Sequence, residues 1–311
     1  REVVSNHKEI IFKASKESGT QYNFFFNGRV KINKVEAYSF AEIYSVTLNK
    51  ITIASKSAIL FDKEEKNFIT HYNSINNQLF SEHLELFQFS LLQKKDESYI
   101  YHTVSLGTGV LDKAISLLNA CSSNYCHAII EMCTIASLIK RSKHSKEIVL
   151  IDDELHENIY RFIFLIFPKI RLMKVKSRCE VTVKKLIYFY PPYIFPFEQT
   201  TNTDDTVFFS KQAFKLLIDD LKPFFKIIDI YKDKKIYFKR SSSYRCILNE
   251  SLVCKTLEGK GYLILDPSVL TPISQMSIFN TAKIIISPTG ACLANLIFSK
   301  ATTQIGILYS N

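Results

Sequence analysis

The sequence predicts an α/β protein of more than one domain, and three observations carry that expectation. The chain has 311 residues, more than one ordinary core holds. Apolar residues make up 47% of it and charged residues 23%, a globular balance that excludes a disordered, collagenous or coiled-coil chain. From about Val110 onward, short β-branched runs alternate with stretches of helical period, the pattern of parallel strands joined by helices.

The first 100 residues read as β-rich, because 23–26, 51–54 and 58–61 are short apolar or β-branched runs bounded by polar turns. Residues 102–109 read as a loop ending in Gly107-Thr108-Gly109. Helices are expected over 111–120 and 125–139, followed by a buried strand over 147–151 with Asp152, Asp153 and Glu154 behind it. A helix over 158–167 is stopped by Pro168, and strands follow over 171–174 and 185–190. Pro191, Pro192 and Pro196 then punctuate the chain, and the polar stretch 197–206 reads as a linker. The expected units are therefore 1–100, 101–200 and 201–311.

The last unit is the most regular. A helix over 211–222 leads to a strand over 235–239. The helix over 249–259 takes Asn249 as its N-cap and has Gly259 or Gly261 near its end. A strand over 262–265 precedes a helix opened by Thr271-Pro272, with Pro at the first helical position. A strand over 283–287, a helix over 291–298 and a strand over 304–308 complete the series. No closing helix follows, so the natural protein is expected to continue beyond Asn311.

Lys and Arg number 40 against 30 Asp and Glu, a formal net charge of +10. Such an excess suits a phosphorylated substrate, an anionic membrane surface or a nucleic acid. No run of five basic residues and no recognition motif occurs, which argues against nucleic acid. Lys140, Arg141, Lys143 and Lys146 read as a solvated helix end. The seven cysteines are odd in number and contain no C-x-x-C, which fits reduced thiols in the cytoplasm. Cys121, Cys126 and Cys133 read as packed thiols rather than zinc ligands. No apolar run reaches bilayer-spanning length and no signal peptide is visible.

Ligands of open parallel sheets bind beyond the carboxyl ends of the strands. Behind the strand at 235–239 stand Arg240 and Arg245, behind 262–265 stands Asp266, with Gln275 on the next helix, and behind 283–287 stand Pro288, Thr289, Gly290 and Ala291. Forked arginine donors and the backbone amides of a helix start suit a pyrophosphate. In the first half, Asn124 can cap a helix that carries His127 in its first turn and Glu131 one turn on. A histidine there can accept a proton, and the carboxylate can orient it. The acidic string 152–154 follows a strand and reads as a solvated turn.

These residues also carry a resemblance. The string N-Y-x-H-x-x-x-E at 124–131, R-x-x-x-x-R-x-x-x-N-E at 240–250, and Gln275 followed by S-P-T-G-A-x-L-x-N at 287–295 together resemble glycosyltransferase family 61. The resemblance covers about residues 105–308, and nothing in 1–100 shares it. It implies an α/β, GT-B-like fold: two Rossmann-like domains facing a cleft, behind a β-rich N-terminal region. It implies an inverting enzyme that moves a sugar from a nucleotide sugar, commonly UDP-linked, to a glycan or lipid-linked glycan hydroxyl, as in bacterial capsule and lipopolysaccharide assembly. The donor nucleotide is implied at Arg240, Arg245, Asn249, Glu250, Gln275, Thr289, Gly290, Ala291 and Asn295. His127 and Glu131 are implied to face it as catalytic residues. Thr289 stands where many relatives carry His, and Ala128 where many carry Trp. No metal is expected to be required, because arginines can neutralise the leaving diphosphate. With its positive excess, the protein is expected in the cytoplasm, leaning on the anionic inner face of the membrane. The rival readings are an inactive binding module on the same fold and a basic nucleic-acid-binding protein.

Overall fold

The computed structural model describes residues 8–24, 30–40, 42–57, 59–69, 90–95, 98–103, 105–194, 208–240 and 247–308. Among the described residues the first part is β. It holds β1 (Glu9–Phe12), the hairpin of β2 (Ser15–Phe24) and β3 (Val30–Phe40), β4 (Ile43–Ala54), β5 (Leu60–Asp62) and β6 (Asn67–Ile69). A second hairpin joins β7 (Ser90–Lys95) to β8 (Ser98–Thr103). Next come β9 (Gly107–Ser116), β10 (Ile148–Asp152), β11 (Arg171–Val175) and β12 (Cys179–Phe189).

These strands form one mixed sheet in the order β11-β10-β9-β12-β4-β5-β6, with β1 alongside β4. The pairs β11–β10, β10–β9 and β9–β12 are parallel, whereas β12–β4, β4–β5 and β5–β6 are antiparallel. The strands of 43–69 thus extend the sheet of 107–189 and build no separate layer. A short antiparallel pair, β13 (Tyr193–Ile194) and β14 (Phe208–Phe209), leads to the last unit. There β15 (Lys235–Phe238), β16 (Tyr262–Leu265), β17 (Ile284–Pro288) and β18 (Gln304–Leu308) form an all-parallel sheet in the order β16-β15-β17-β18. The chain leaves β15 for β16 on one side and continues to β17 on the other, so the strand order reverses between β15 and β17. That is a switch point, where open α/β sheets bind ligands.

Helices connect the strands, and all but the one over Glu250–Glu258 contribute to the core shared by the two sheets. They are α1 (Tyr125–His127), continuous through a π-helical turn (Ala128–Met132) into α2 (Cys133–Arg141), then α3 (Glu157–Ile166), α4 (Lys211–Leu221), α5 (Glu250–Glu258) and α6 (Pro272–Thr281). A 3₁₀ helix spans Ala291–Phe298. Local chemistry sets their starts. Asn124 accepts from Cys126 N at 3.0 Å, Ser210 from Ala213 N at 3.3 Å, and Thr271 from Ser274 N at 3.2 Å with Pro272 behind it. One core runs from Ile115, Val149, Ile151 and Ile187 of the first sheet, through Ile129, Phe162 and Leu217, to Ile236, Phe238 and Ile285 of the second. Phe162 stacks on Phe298 with ring centroids 6.0 Å apart. The alternate residues Leu150, Val183 and Leu186 point to the other face of the first sheet and join Val46, Ile51 and Ile53 in a second cluster.

Several sequence expectations need correction. Residues 111–120 are not a helix. Leu111, Ala114, Ile115 and Leu118 fall at helical spacing, but Gly107–Ser116 is a central strand paired with β10 and β12. Its first residues alternate between half-buried and exposed, so pairing on both edges overrides the local period. Of the loop expected over 102–109, residues 102 and 103 belong to β8 and 107–109 to β9, and only 105 and 106 among the described residues lie outside strands. Residues 291–298 wind as 3₁₀ rather than α-helix. Lys140 and Arg141 are not simply solvated: both bind Asp220 of α4, at 2.7 Å and 2.6 Å. The linker at 197–206 lies outside the described residues.

Candidate functional site

A cavity of about 180 Å³ opens at the switch point of the second sheet. The carboxyl end of β15 lines it with Phe238, Lys239 and Arg240. The turn after β16 adds Asp266, Pro267 and Ser268, and the turn after β17 adds Ser287, Pro288, Gly290, Ala291 and Cys292. Whole-ligand pockets span roughly 300–1,000 Å³, so this space can enclose only part of a nucleotide sugar.

Arg240 is held at both ends. Its backbone N–H donates to Glu250 Oε1 at 2.8 Å, and the same oxygen accepts from the Tyr237 hydroxyl at 3.2 Å. Its Nη1 donates to the Thr289 carbonyl. Gly290 lies against this guanidinium: a Cβ there would stand 2.9 Å from Arg240 Nη1. Gly290 has φ 176 and ψ 171, extended backbone open to any residue, so what the position requires is space. Cys292 is half-buried, with its Sγ 3.5 Å from Ser287 Oγ. Burial pushes its thiol up, opposed by the Ser287 hydroxyl and the Arg240 charge.

The second element of the site is carried by α1 and the π turn. His127 Nδ1 and Glu131 Oε1 are 2.5 Å apart. The His127 side chain is 32% exposed and that of Glu131 4%. Glu131 Oε2 accepts from Asn119 Nδ2 at 2.6 Å, and Asn119 Oδ1 accepts from Cys121 N at 2.7 Å. α1 packs against the 3₁₀ helix whose first residues, Ala291 and Cys292, line the cavity. The helix that carries His127 thus packs against the helix whose start forms one wall of the cavity.

Gln275 and Asn295, expected on the donor rim, sit elsewhere. They are 2% and 0% exposed. Asn295 Nδ2 donates to Gln275 Oε1 at 2.6 Å, and the Tyr125 hydroxyl donates to the same oxygen at 2.7 Å while lying 3.1 Å from Asn295 Oδ1. Gln275 Nε2 donates to the carbonyls of Pro267 and Leu270. This buried network joins α1 to α6 and to the 3₁₀ helix, because unpaired amides would be costly there. Asn249 occupies the N-cap position of α5 but its side chain makes no capping bond. Arg245 lies outside the described residues.

The acidic string 152–154 is a solvated turn only at its far end, where Glu154 is exposed; Asp152 closes β10. Asp152 is 0% exposed and accepts from Lys56 N at 2.6 Å and from Asn119 N at 3.3 Å. Burial pushes its carboxyl up to about 6, against the pull of those amide donors. Asp153 accepts from Ser177 N at 3.0 Å, and Glu154 pairs with Lys56 Nζ. Among the described residues, no group of three His, Cys, Asp or Glu is arranged to hold a metal ion. Among those residues too, all six cysteines are free and Cys133 is fully buried.

Sequence reading passed over Asn119 and the role of Tyr125. Asn119 follows a strand read as a helix, which hid its place at a strand end. Tyr125 lies inside the N-Y-x-H string, and that string is the sequence signal for it.

No curated protein matches the chain. The family model described as Glycosyltransferase 61 matches residues 125–306. That span begins at Tyr125 and takes in the His127–Glu131 pair, Arg240 and the Gly290 turn, more than half of the sequence, and the chain accordingly belongs to glycosyltransferase family 61 and is a glycosyltransferase.

Proposed function

We propose that the protein is an inverting transferase of GT-B-like build that moves a sugar from a UDP-linked donor to a glycan hydroxyl. In this reading the two sheet-bearing halves meet where those two helices pack, with the diphosphate in the cavity at the end of β15 and β17. The cavity between Arg240 and Gly290 carries the reading. It sits at a switch point, beside an arginine anchored through Glu250, and a second arginine follows at 245.

The acceptor oxygen attacks the anomeric carbon as the bond from that carbon to the diphosphate oxygen breaks. The electron pair leaves with the diphosphate, whose growing charge meets Arg240. The acceptor proton passes to His127, and Glu131 steadies the imidazolium that forms. Gln275 and Asn295 hold the wall between the two centres rather than the donor. The acceptor is a glycan or lipid-linked glycan of the surface-polysaccharide kind, reached from the cytoplasmic side of an anionic membrane. The resemblance and the net charge of +10 support that part. Among the described residues no helix is long and apolar enough to cross a membrane.

The test is UDP release from a panel of UDP-sugars, with UDP affinity measured alongside. His127→Ala is expected to lower kcat by about 10²–10⁴ while UDP affinity stays near wild type. Full activity in a folded His127→Ala variant refutes the assignment of the base.

A further inference from the structure

We propose that Asn119 is a positioning residue that sets which nitrogen of His127 carries the proton. The proposal rests on the reading of His127 as the base. A chain of hydrogen bonds carries it, and its first member has only one possible polarity. The Cys121 backbone N–H can only donate, and it meets one end of the Asn119 amide at 2.7 Å. That end is therefore the oxygen, and the amide cannot be flipped. The NH₂ end then faces Glu131 Oε2 at 2.6 Å and donates to it. With Oε2 receiving from Asn119, Oε1 is turned to His127 as an acceptor, 2.5 Å from Nδ1. Nδ1 carries the proton, and Nε2 carries the lone pair that a base requires.

The anchor is firm at its own root. Asn119 is buried, and its backbone N–H donates to Asp152 Oδ2 at 3.3 Å. Asp152 is fixed in turn by Lys56 N on its other oxygen at 2.6 Å. Just before it, Leu117 N donates to Leu150 O at 2.9 Å, tying the end of β9 to β10. Glu131 lies within the π turn Ala128–Met132. π turns displace side chains from the regular helical rows. Here the turn carries the Glu131 carboxylate between His127 on its own helix and Asn119 on the strand end. A ring with its proton on Nε2 could not receive one from a hydroxyl at that nitrogen.

The experiment is ¹⁵N NMR of the His127 ring in the full chain, at a pH where the ring is neutral, with His127→Ala supplying the assignment. Wild type is expected to show a protonated Nδ1 and an unprotonated Nε2. Asn119→Ala is expected to lose that signature. So is Asn119→Leu, which keeps the size but offers no donor to Glu131. In UDP release, both variants are expected to lose about tenfold or more in kcat with UDP affinity unchanged. A wild-type ring protonated on Nε2 overturns the proposal even if neither variant folds. A folded Asn119→Ala variant with the wild-type signature also overturns it and leaves the base reading standing. Turnover that survives His127→Ala removes the base reading and leaves the ring polarity as measured.

Discussion

Gly290→Ala is expected to weaken diphosphate binding without unfolding the protein, through Arg240. The new Cβ would stand 2.9 Å from Arg240 Nη1 and 3.7 Å from its Cζ, with the next nearest atom the Pro288 carbonyl oxygen at 3.9 Å. A carbon that close to nitrogen forces a shift, and the guanidinium is the flexible end of a long side chain. The backbone at Gly290 is extended, so alanine brings no strain of its own. Stability is expected to change by about 1 kcal/mol or less, as for surface changes without a buried cavity. The displaced guanidinium loses its bond to the Thr289 carbonyl and its aim into the cavity. A hydrogen bond to a charged group contributes about 1.5–3 kcal/mol, so UDP affinity is expected to fall roughly 10- to 100-fold. Calorimetric titration with UDP and a thermal melt read the two effects separately. The decisive comparison is a double-mutant cycle with Arg240→Ala. If alanine at 290 acts only through the guanidinium, it costs almost nothing once the guanidinium is gone. An equal loss of affinity in both backgrounds refutes the reasoning, as does unchanged affinity in the single variant.

Two further outcomes concern stability. Burial raises the Asp152 carboxyl to about 6 from its ordinary 3.8, so the folded chain keeps a proton that the unfolded chain has released between those values. Its contribution is therefore complete below about pH 4 and is lost as pH rises through 6, by up to about 3 kcal/mol. Urea unfolding is expected to show wild type losing that much relative to Asp152→Asn between pH 4 and 7, and a constant difference contradicts it. Tyr125→Phe removes the hydroxyl shared by Gln275 and Asn295 and is expected to cost about 1–3 kcal/mol in the same assay. A variant as stable as wild type shows that the network does not tie the halves together.

The parallel sheet of the last unit was legible because its strands are short apolar runs, separated by helical stretches with recognisable starts or by a glycine turn. Thr271-Pro272 and the run KIYF at 235–238 are found where local chemistry puts them. β9 was not legible. Its period-2 alternation covers only Gly107–Lys113, whereas Ala114 and Ile115 are both buried. Two adjacent buried residues in a strand sandwiched between apolar clusters imitate one face of a helix. The same misreading concealed Asn119, since a residue placed within a helix gives no hint that it follows a strand and lies beside the neighbouring strand's carboxylate. Gln275 and Asn295 were legible as special but not in role. A polar residue that matters reads the same from sequence whether it meets a ligand or holds a buried joint.

That ambiguity resolves once the N-Y-x-H-x-x-x-E string is taken as geometry. Asn124 starts the helix by accepting from Cys126 N. Tyr125, the next residue, crosses to Gln275 and Asn295 in the other half. His127, two residues on, meets Glu131, which is held from the strand side by Asn119. One turn thus sends its tyrosine across to the second half and its histidine to Glu131. The tyrosine hydroxyl is bonded across the joint, so sliding one half against the other would break those hydrogen bonds before it moved the histidine. In the proposed reaction, the distance between base and diphosphate is then set by the joint and not by the reacting groups. A conservative change at Asn295 is expected to act on kcat through that distance while leaving the Arg240 cavity, and hence UDP affinity, as it is, whereas Gln275 also holds the Pro267 carbonyl at the cavity.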